Sequence, residues 1–208
     1  MSRLVALGLD PGFSSFGWAA VDIAIPGAES LLALGVIRTK KDKGKVLCRD
    51  DDHRRSAEIV RALLAVTHAH RPAIICAEAL SLGGGGAAQR MQISTMAKMG
   101  RVWGIVDTLC EIYDAPLIQV SPQALKKAAT GRVGATKLEV QAELDEFFNG
   151  ELGALLATIR ARGQHEHPVD AAGAVVASLN HDHLRLARAA FARARTDTHT
   201  HTDEMETA

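Results

Sequence analysis

Five short apolar runs alternate with polar segments along the chain, and each has the length of a buried strand. They cover residues 4–9, 16–23, 31–37, 73–77 and 116–120. The first run ends at Asp10-Pro11-Gly12, which is typical of a turn, and the fourth ends at Glu78. Because the first three runs follow one another closely, they predict an antiparallel meander at the start of the domain.

The later part of the chain has helical spacing of its apolar residues. The predicted helices span residues 53–70, 89–113, 136–148 and 168–194, and a further one begins at Ser121-Pro122, with serine as the cap and proline in the first turn. The polar residues 38–52 predict a loop. A strand meander followed by alternating helices and strands favours a three-layer α/β domain around a mixed sheet.

The length of 208 residues fits one domain, which we place at residues 1–190. The polar, low-complexity residues 191–208 predict a disordered tail. No apolar stretch approaches the roughly 18 residues that span a bilayer, and the first ten residues lack the pattern of a signal peptide. We therefore expect a cytoplasmic protein.

Charge is informative in its distribution and not in its total. The chain has 24 Lys and Arg and 24 Asp and Glu, so its net charge gives no argument for a nucleic-acid partner. The segment KKAATGRVGATK, however, carries four cations and no acid, namely Lys126, Lys127, Arg132 and Lys137. Such a segment could hold a phosphate backbone. The three cysteines lie far apart and suggest neither a disulfide framework nor a zinc site.

Two carboxylates end predicted strands and could meet at one rim of the sheet. Asp10 precedes a Pro-Gly turn, and Glu78 is the acid in the apolar strand IICAEAL. Burying a lone carboxylate costs several kcal/mol unless it is paired or bound to a metal. The alternatives are that Asp10 is an ordinary turn residue and that Glu78 has a structural role.

A third element, HPVDAA, places His167 three residues before Asp170 at the start of a helix, so that both lie on one face. His167 alone could equally be a capping or surface histidine. Together with Asp10 and Glu78 the pair forms a set of hard ligands that suits Mg²⁺ or Mn²⁺. Two such ions about 4 Å apart are the catalytic arrangement of many nucleases. We hypothesise that all four residues are catalytic metal ligands, with Asp10 shared by both ions and His167 on the ion near the attacking water.

Four motifs, LGLDPGFSSFGWAAVD, AEALS, VSPQALKKAATGRVGATKLEV and HPVDAAGAVVA, occur in the order found in one family. Through them the chain resembles RuvC-type Holliday-junction resolvases of the ribonuclease H-like superfamily over about residues 3–185. The resemblance implies a three-layer fold with a five-stranded mixed sheet flanked by helices. It also implies a structure-selective DNA endonuclease that resolves four-way junctions by paired symmetric nicks, in recombination and repair.

The same resemblance assigns roles to single residues. Asp10, Glu78, His167 and Asp170 correspond to the family's catalytic metal ligands. Lys126 and Lys137 correspond to lysines that contact DNA near the scissile phosphate, and Arg132 would add a phosphate contact.

The resemblance further implies a homodimer, with helix 89–113 in the interface and Gly100 and Gly104 permitting close helix approach. A branch-migration motor is a further partner to expect. The alternative for the stripe of Met96, Met99, Trp103 and Val106 on this helix is simple intramolecular core.

The chain departs from the family in the segment after Glu78. Ser81 stands where many bacterial members carry an aromatic residue thought to insert at the junction centre, and a run of four glycines, residues 83–86, follows it. Four consecutive glycines predict a mobile loop, because they carry no side chain to pack. Junction opening or sequence preference is therefore expected to differ from that of the family.

Other classes of protein remain open to different degrees. A ribonuclease H-like nuclease for flaps, forks or structured RNA would use the same metal site. Actin-like kinases begin with a similar turn but need a second nucleotide-binding half. A dinucleotide-binding interpretation of Gly83, Gly85 and Ala88 lacks the acid that should meet the ribose. A non-catalytic junction-binding module predicts loss of a carboxylate, which is not observed.

Overall fold

A computed structural model describes residues 3–44, 46–80 and 93–205 of the chain, with side chains up to residue 196. The strands are β1 (Val5–Asp10), β2 (Ser15–Asp22), β3 (Ser30–Arg38), β4 (Ile74–Glu78) and β5 (Leu117–Val120). The helices are α1 (Cys48–His70), α2 (Ile93–Tyr113), α3 (Pro122–Thr130), α4 (Lys137–Phe147), α5 (Glu151–Leu156), α6 (Glu166–Ser178) and α7 (Asp182–Met205). A short 3₁₀ helix, Arg162–Gln164, precedes α6.

The five strands form one mixed sheet in the order β3-β2-β1-β4-β5. Strand β2 runs antiparallel to both β1 and β3, while β4 is parallel to β1 and β5 is parallel to β4. The predicted meander and mixed sheet are therefore confirmed. This topology places the carboxyl ends of β1, β4 and β5 at one rim, together with the start of β2 and the end of β3.

Helices cover both faces of the sheet and make the predicted three layers. On one face α1 and α2 bury Ile59, Leu63, Val102 and Val106 against the strands. On the other face α3, α4, α5 and α7 surround α6. The α6 residues Ala171, Ala172, Ala174 and Val175 are fully buried. Burial of apolar side chains on both faces of the sheet supplies the main stabilisation of such a domain.

Two glycines allow α6 to lie directly on the central strands. A Cβ atom added at Gly8 would stand 2.0 Å from the carbonyl oxygen of Ala171, and one at Gly17 would stand 2.2 Å from that of His167. Since no side chain fits at either position, the start of α6 is held against the rim where β1 ends and β2 begins.

The helix bounds differ from the sequence prediction at three places. Helix α1 begins at Cys48, inside the predicted loop, because the buried Asp51 pairs with Arg54 and the acids of its first turn suit the positive end of a helix. The single helix predicted over 168–194 is two helices, broken after Ser178. Helix α7 continues to Met205, through residues where the sequence predicts a disordered tail.

The Ala- and Arg-rich residues before 196 are good helix formers, which accounts for the helix as far as that point. Helix α7 is attached to the sheet by Arg188, which donates to the carbonyl oxygen of Ile23 and pairs with the buried Glu29 at 2.5 Å. None of the helices in the described ranges is long and apolar enough to cross a membrane.

Candidate active site

Asp10 and Glu78 end neighbouring parallel strands, as their positions in the sequence predict. Strand β1 pairs with β4 up to Leu9 and Ala77, so the two carboxylates follow each other across the rim. Both line a cavity of about 200 Å³ at this rim. The sequence argument that placed them together is thus supported by the geometry.

Helix α6 brings His167 and Asp170 to the same rim. His167 is hydrogen-bonded to Asp10, with 2.7 Å between Nδ1 and Oδ2. Asp170, one turn further along, lines a second cavity of about 140 Å³ together with Glu78, Lys126 and Lys137. The four residues predicted as metal ligands therefore converge at one end of the sheet.

The acids of this site repel one another, and burial adds to the effect. Burial, followed by the charges of Asp170 and Asp10, raises the pKa of Glu78 to about 7. Burial, followed by the charge of Asp10, raises the pKa of Asp170 to about 6. The hydrogen bond to Asp10 raises the pKa of His167. Such a cluster of closely spaced acids is the kind of environment that a bound cation relieves.

The donor set fits a hard divalent cation in its chemistry, because three carboxylates and one imidazole are ligands that Mg²⁺ and Mn²⁺ accept. Within the described ranges, no three His, Cys, Asp or Glu side chains already stand in a geometry that would hold a metal ion. The His167 imidazole is turned onto Asp10 instead. Ligation would therefore require the side chains of the site to turn.

Two of the predicted DNA-contacting cations are paired with acids. Lys137 is hydrogen-bonded to Glu166, which raises the pKa of the lysine and lowers that of the glutamate. Arg132 pairs with Glu139 at 2.7 Å. Of the other two, Lys126 lines the cavity of Asp170, whereas Lys127 is exposed on α3.

Glu166 is a residue of the site that the sequence does not single out. It lies between Lys137 and His167, with 4.0 Å from its Oε1 to Nε2 of the imidazole. The only sequence signal is an acid immediately before His167, which is common on helix surfaces.

The cavity of Asp10 and Glu78 also has an apolar wall that the sequence does not reveal, formed by residues that include Met99 and Trp103. The indole Nε1 of Trp103 is buried without a hydrogen-bond partner in the described part of the chain. Ser81, the glycine run 83–86 and the dinucleotide-type pattern through Ala88 lie outside the described residues.

A five-stranded sheet in this order, with carboxylates at the ends of its first and fourth strands, is the architecture of the ribonuclease H-like fold. A family model described as "Crossover junction endodeoxyribonuclease RuvC" matches residues 6–181. The chain belongs to this family.

Curated relatives agree with that assignment. A crossover junction endodeoxyribonuclease RuvC of Zymomonas mobilis is 30% identical over 182 residues, which cover 86% of this chain and 91% of the relative. One of Nitratidesulfovibrio vulgaris is 31% identical over 139 residues, or 67% of this chain and 74% of the relative.

Solved structures agree on the fold. The structure of Thermus thermophilus RuvC superposes with a TM-score of 0.63 at 21% identity, covering 87% of this chain and 96% of that one. The same protein in complex with a Holliday junction substrate gives a TM-score of 0.64 at 20% identity, covering 84% and 92%. The predicted three-layer fold and the family resemblance are thus confirmed.

Proposed function

We propose that this chain resolves four-way DNA junctions by metal-dependent hydrolysis of phosphodiester bonds, with Asp10, Glu78, His167 and Asp170 as its catalytic residues. The observation that carries the proposal is the convergence of these four side chains on one rim, beside lysines in the same cavity, in a chain of the RuvC family. Family relatives bear the name crossover junction endodeoxyribonuclease.

The three carboxylates and His167 would hold Mg²⁺ or Mn²⁺, two ions in our proposal. When bound, these ions supply an activated water and stabilise the leaving oxygen. Asp10 sits between the other three groups: it neighbours Glu78 across the strands, bonds His167 and faces the charge of Asp170. From this position Asp10 would help to hold a metal ion together with each of the other three groups.

The cations beside the acids would hold the scissile strand. Lys126 and Lys137 line the same cavity as Glu78 and Asp170, so a phosphate seated there would meet their ammonium groups beside the carboxylates. Lys127 and Arg132, on the same basic segment, would meet the flanking phosphates, Arg132 by leaving its partner Glu139. Backbone contacts of this kind position the DNA without reading its sequence.

We propose a homodimer formed through the α1–α2 face, so that two sites act on opposed strands. An apolar groove of about 280 Å³ runs between these helices, lined by residues that include Leu64, Ile105 and Ile112. Ile112 is 61% exposed, and a Cβ atom at Gly100 or Gly104 would meet no neighbour within 4 Å. An unfilled apolar groove with close backbone access fits a second copy of the helix pair. Recruitment by a branch-migration motor and a cytoplasmic location stay predictions.

The test is cleavage of a mobile four-way DNA junction against matched duplex, flap and RNA/DNA hybrid, each with Mg²⁺, Mn²⁺ or EDTA. We expect paired symmetric nicks in the junction that need a metal and disappear in Asp10→Asn. Preferential cutting of the flap or the hybrid would move the substrate assignment to the alternative nuclease class. Cutting that persists in Asp10→Asn would overturn the site.

A further inference from the structure

A second cluster of cations lies on the rim, at the opposite side of the catalytic carboxylates from Lys126 and Lys137. It is the segment of residues 38–44, which we call the lysine loop, and it begins at the last residue of β3. Arg38, Lys40, Lys41 and Lys43 are all exposed there, against a single acid, Asp42. No carboxylate in the described ranges forms an ion pair with any of the four.

The acids nearest to the lysine loop already have partners. Asp51 pairs with Arg54 at 2.5 Å, and Asp52 lies 3.9 Å from Lys98. Asp50 pairs with its neighbour Arg49. Asp42 accepts a hydrogen bond from the backbone N–H of Gly44 within the loop, at 2.7 Å. The positive charge of the loop is therefore left available to an external anion.

The loop is fixed to the turn that carries the catalytic strand β1 into β2. Thr39 is buried, its hydroxyl donates to the carbonyl oxygen of Phe13 at 2.6 Å, and its backbone N–H donates to that of Ser14. The guanidinium of Arg55 donates to the hydroxyls of both Thr39 and Ser14, each at 2.9 Å. A set of hydrogen bonds of this kind holds the loop in a defined place against the turn between β1 and β2.

A second anchor holds the backbone between the lysines. Arg54 donates to the carbonyl oxygen of Lys40 at 2.7 Å while its other contacts go to Asp51 and Glu58. The flanking side chains consequently project from a tethered backbone. Such an arrangement reduces the ordering entropy lost when a phosphate is bound.

The sheet order separates the two basic surfaces. Strand β3 lies two strands from β1, which is about 10 Å at the usual strand spacing, whereas α3 follows β5 on the other side. Lys126 and Lys137 share a cavity with the catalytic acids and so would meet the strand being cut. The lysine loop would meet phosphates elsewhere on the substrate.

We propose that the lysine loop binds the phosphate backbone of an arm of the branched DNA other than the arm that carries the scissile phosphate. The inference rests on the proposed function, since it requires a substrate with more than one arm. It assigns to residues 38–44 a part in selecting branched over linear DNA. Four exposed cations on a loop tied to the catalytic turn are its structural basis.

The test compares the wild type with Lys40→Gln/Lys41→Gln/Lys43→Gln. The control, Arg185→Gln/Arg193→Gln/Arg195→Gln, removes the same charge from exposed arginines of α7, and Arg195 lines a cavity with Arg3 and Asp22 away from the catalytic rim. Affinities for a four-way junction and for linear duplex of equal base-pair number are measured in EDTA over a series of salt concentrations. A Lys→Arg triple variant, which keeps the charge, checks for effects on folding.

We expect the slope of log affinity against log salt on the junction to become shallower by about 0.9 for each phosphate that is no longer neutralised, or about 2.7 for three. The slope of the Lys→Gln variant on linear duplex should equal that of the wild type, and its single-turnover cleavage at saturating enzyme should be unaltered. The Arg→Gln control and the Lys→Arg variant should both keep the wild-type slope on the junction. An unchanged junction slope, or an equal reduction on junction and duplex, overturns the inference. If the wild type itself neither prefers nor cuts junctions, it is the proposed function that fails.

Discussion

The imidazole of His167 lies against the carboxylate of Asp10, with 2.7 Å between Nδ1 and Oδ2, although the two residues are 157 positions apart in the chain. If Nδ1 carries the proton and donates to Asp10, Nε2 has a free lone pair directed away from Asp10. Histidines that bind metal ions commonly use one ring nitrogen as the ligand and donate from the other to a carboxylate. In this orientation Nε2 lies 4.0 Å from Oε1 of Glu166, so the imidazole must turn before it can hold a cation together with Asp10.

His167→Ala is expected to lower junction cleavage by about 10- to 100-fold and to raise the metal concentration needed for half-maximal rate. The reason is that the site loses its only nitrogen ligand and the group that orients Asp10. The measurement is the cleavage rate over a titration with Mg²⁺ or Mn²⁺.

The matched control is His183→Ala, an exposed histidine on α7. It should leave the titration unchanged. Full activity of His167→Ala at low Mg²⁺ would remove this residue from the ligand set.

The positions of the candidate ligands could be predicted where they follow from the apolar runs in the sequence. Asp10 and Glu78 end apolar runs, and parallel pairing of those runs brings them together. The approach of His167 to Asp10 depends instead on Gly8 and Gly17, which let α6 lie on the sheet, and nothing in the helix itself indicates that contact.

Helix ends were predicted less well where tertiary contacts override composition. The aspartates before residue 53 are polar enough to favour a loop, yet Asp51 is buried by its pairing with Arg54 and belongs to α1. The ion pairs of Arg132 and Lys137 join residues 7 and 29 positions apart, and the second lies beyond the reach of any helical spacing rule.

Glu166→Gln is expected to tighten junction binding by about two- to fivefold. In the free protein the Glu166 carboxylate holds Lys137, and DNA must displace it, so its removal frees the ammonium group and takes away a charge that repels phosphate. The size follows from exposed ion pairs, which contribute at most about 1 kcal/mol. The measurement is junction affinity in EDTA at low and high salt.

Glu143→Gln is the control, because this acid is exposed on α4 and its replacement removes the same charge without touching Lys137. Weaker binding by Glu166→Gln would instead mean that the glutamate positions the lysine for the phosphate.

Gly17→Ala is expected to lower the free energy of unfolding by about 1–3 kcal/mol. It should also cleave junctions more slowly than the wild type at temperatures where both proteins are folded. The added Cβ would stand 2.2 Å from the carbonyl oxygen of His167, so α6 must move away from the rim and take His167 with it. Denaturant unfolding and cleavage are measured on the same preparation.

Gly163→Ala serves as the control, since a Cβ there meets nothing within 4 Å. A Gly17→Ala variant with wild-type stability and wild-type activity would show that α6 does not depend on this close contact.

Glu139 is expected to make a contribution to stability that disappears in acid. Its carboxylate accepts from the backbone N–H of Thr136, in a capping box that starts α4, and from Arg132, which together lower its pKa from 4.5 to about 2. Because the folded pKa lies below the unfolded one, the contribution is fully present above about pH 4.5 and is lost as the pH falls toward 2.

Denaturant midpoints of the wild type and Glu139→Gln, measured from pH 7 down to pH 2, check this directly. The wild type should be the more stable protein at pH 7, and the difference should shrink below pH 4.5, where the wild-type carboxylate becomes protonated and resembles the neutral amide. A gap between wild type and Glu139→Gln that stays constant down to pH 2 would show that the capping hydrogen bonds do not favour the ionised carboxylate.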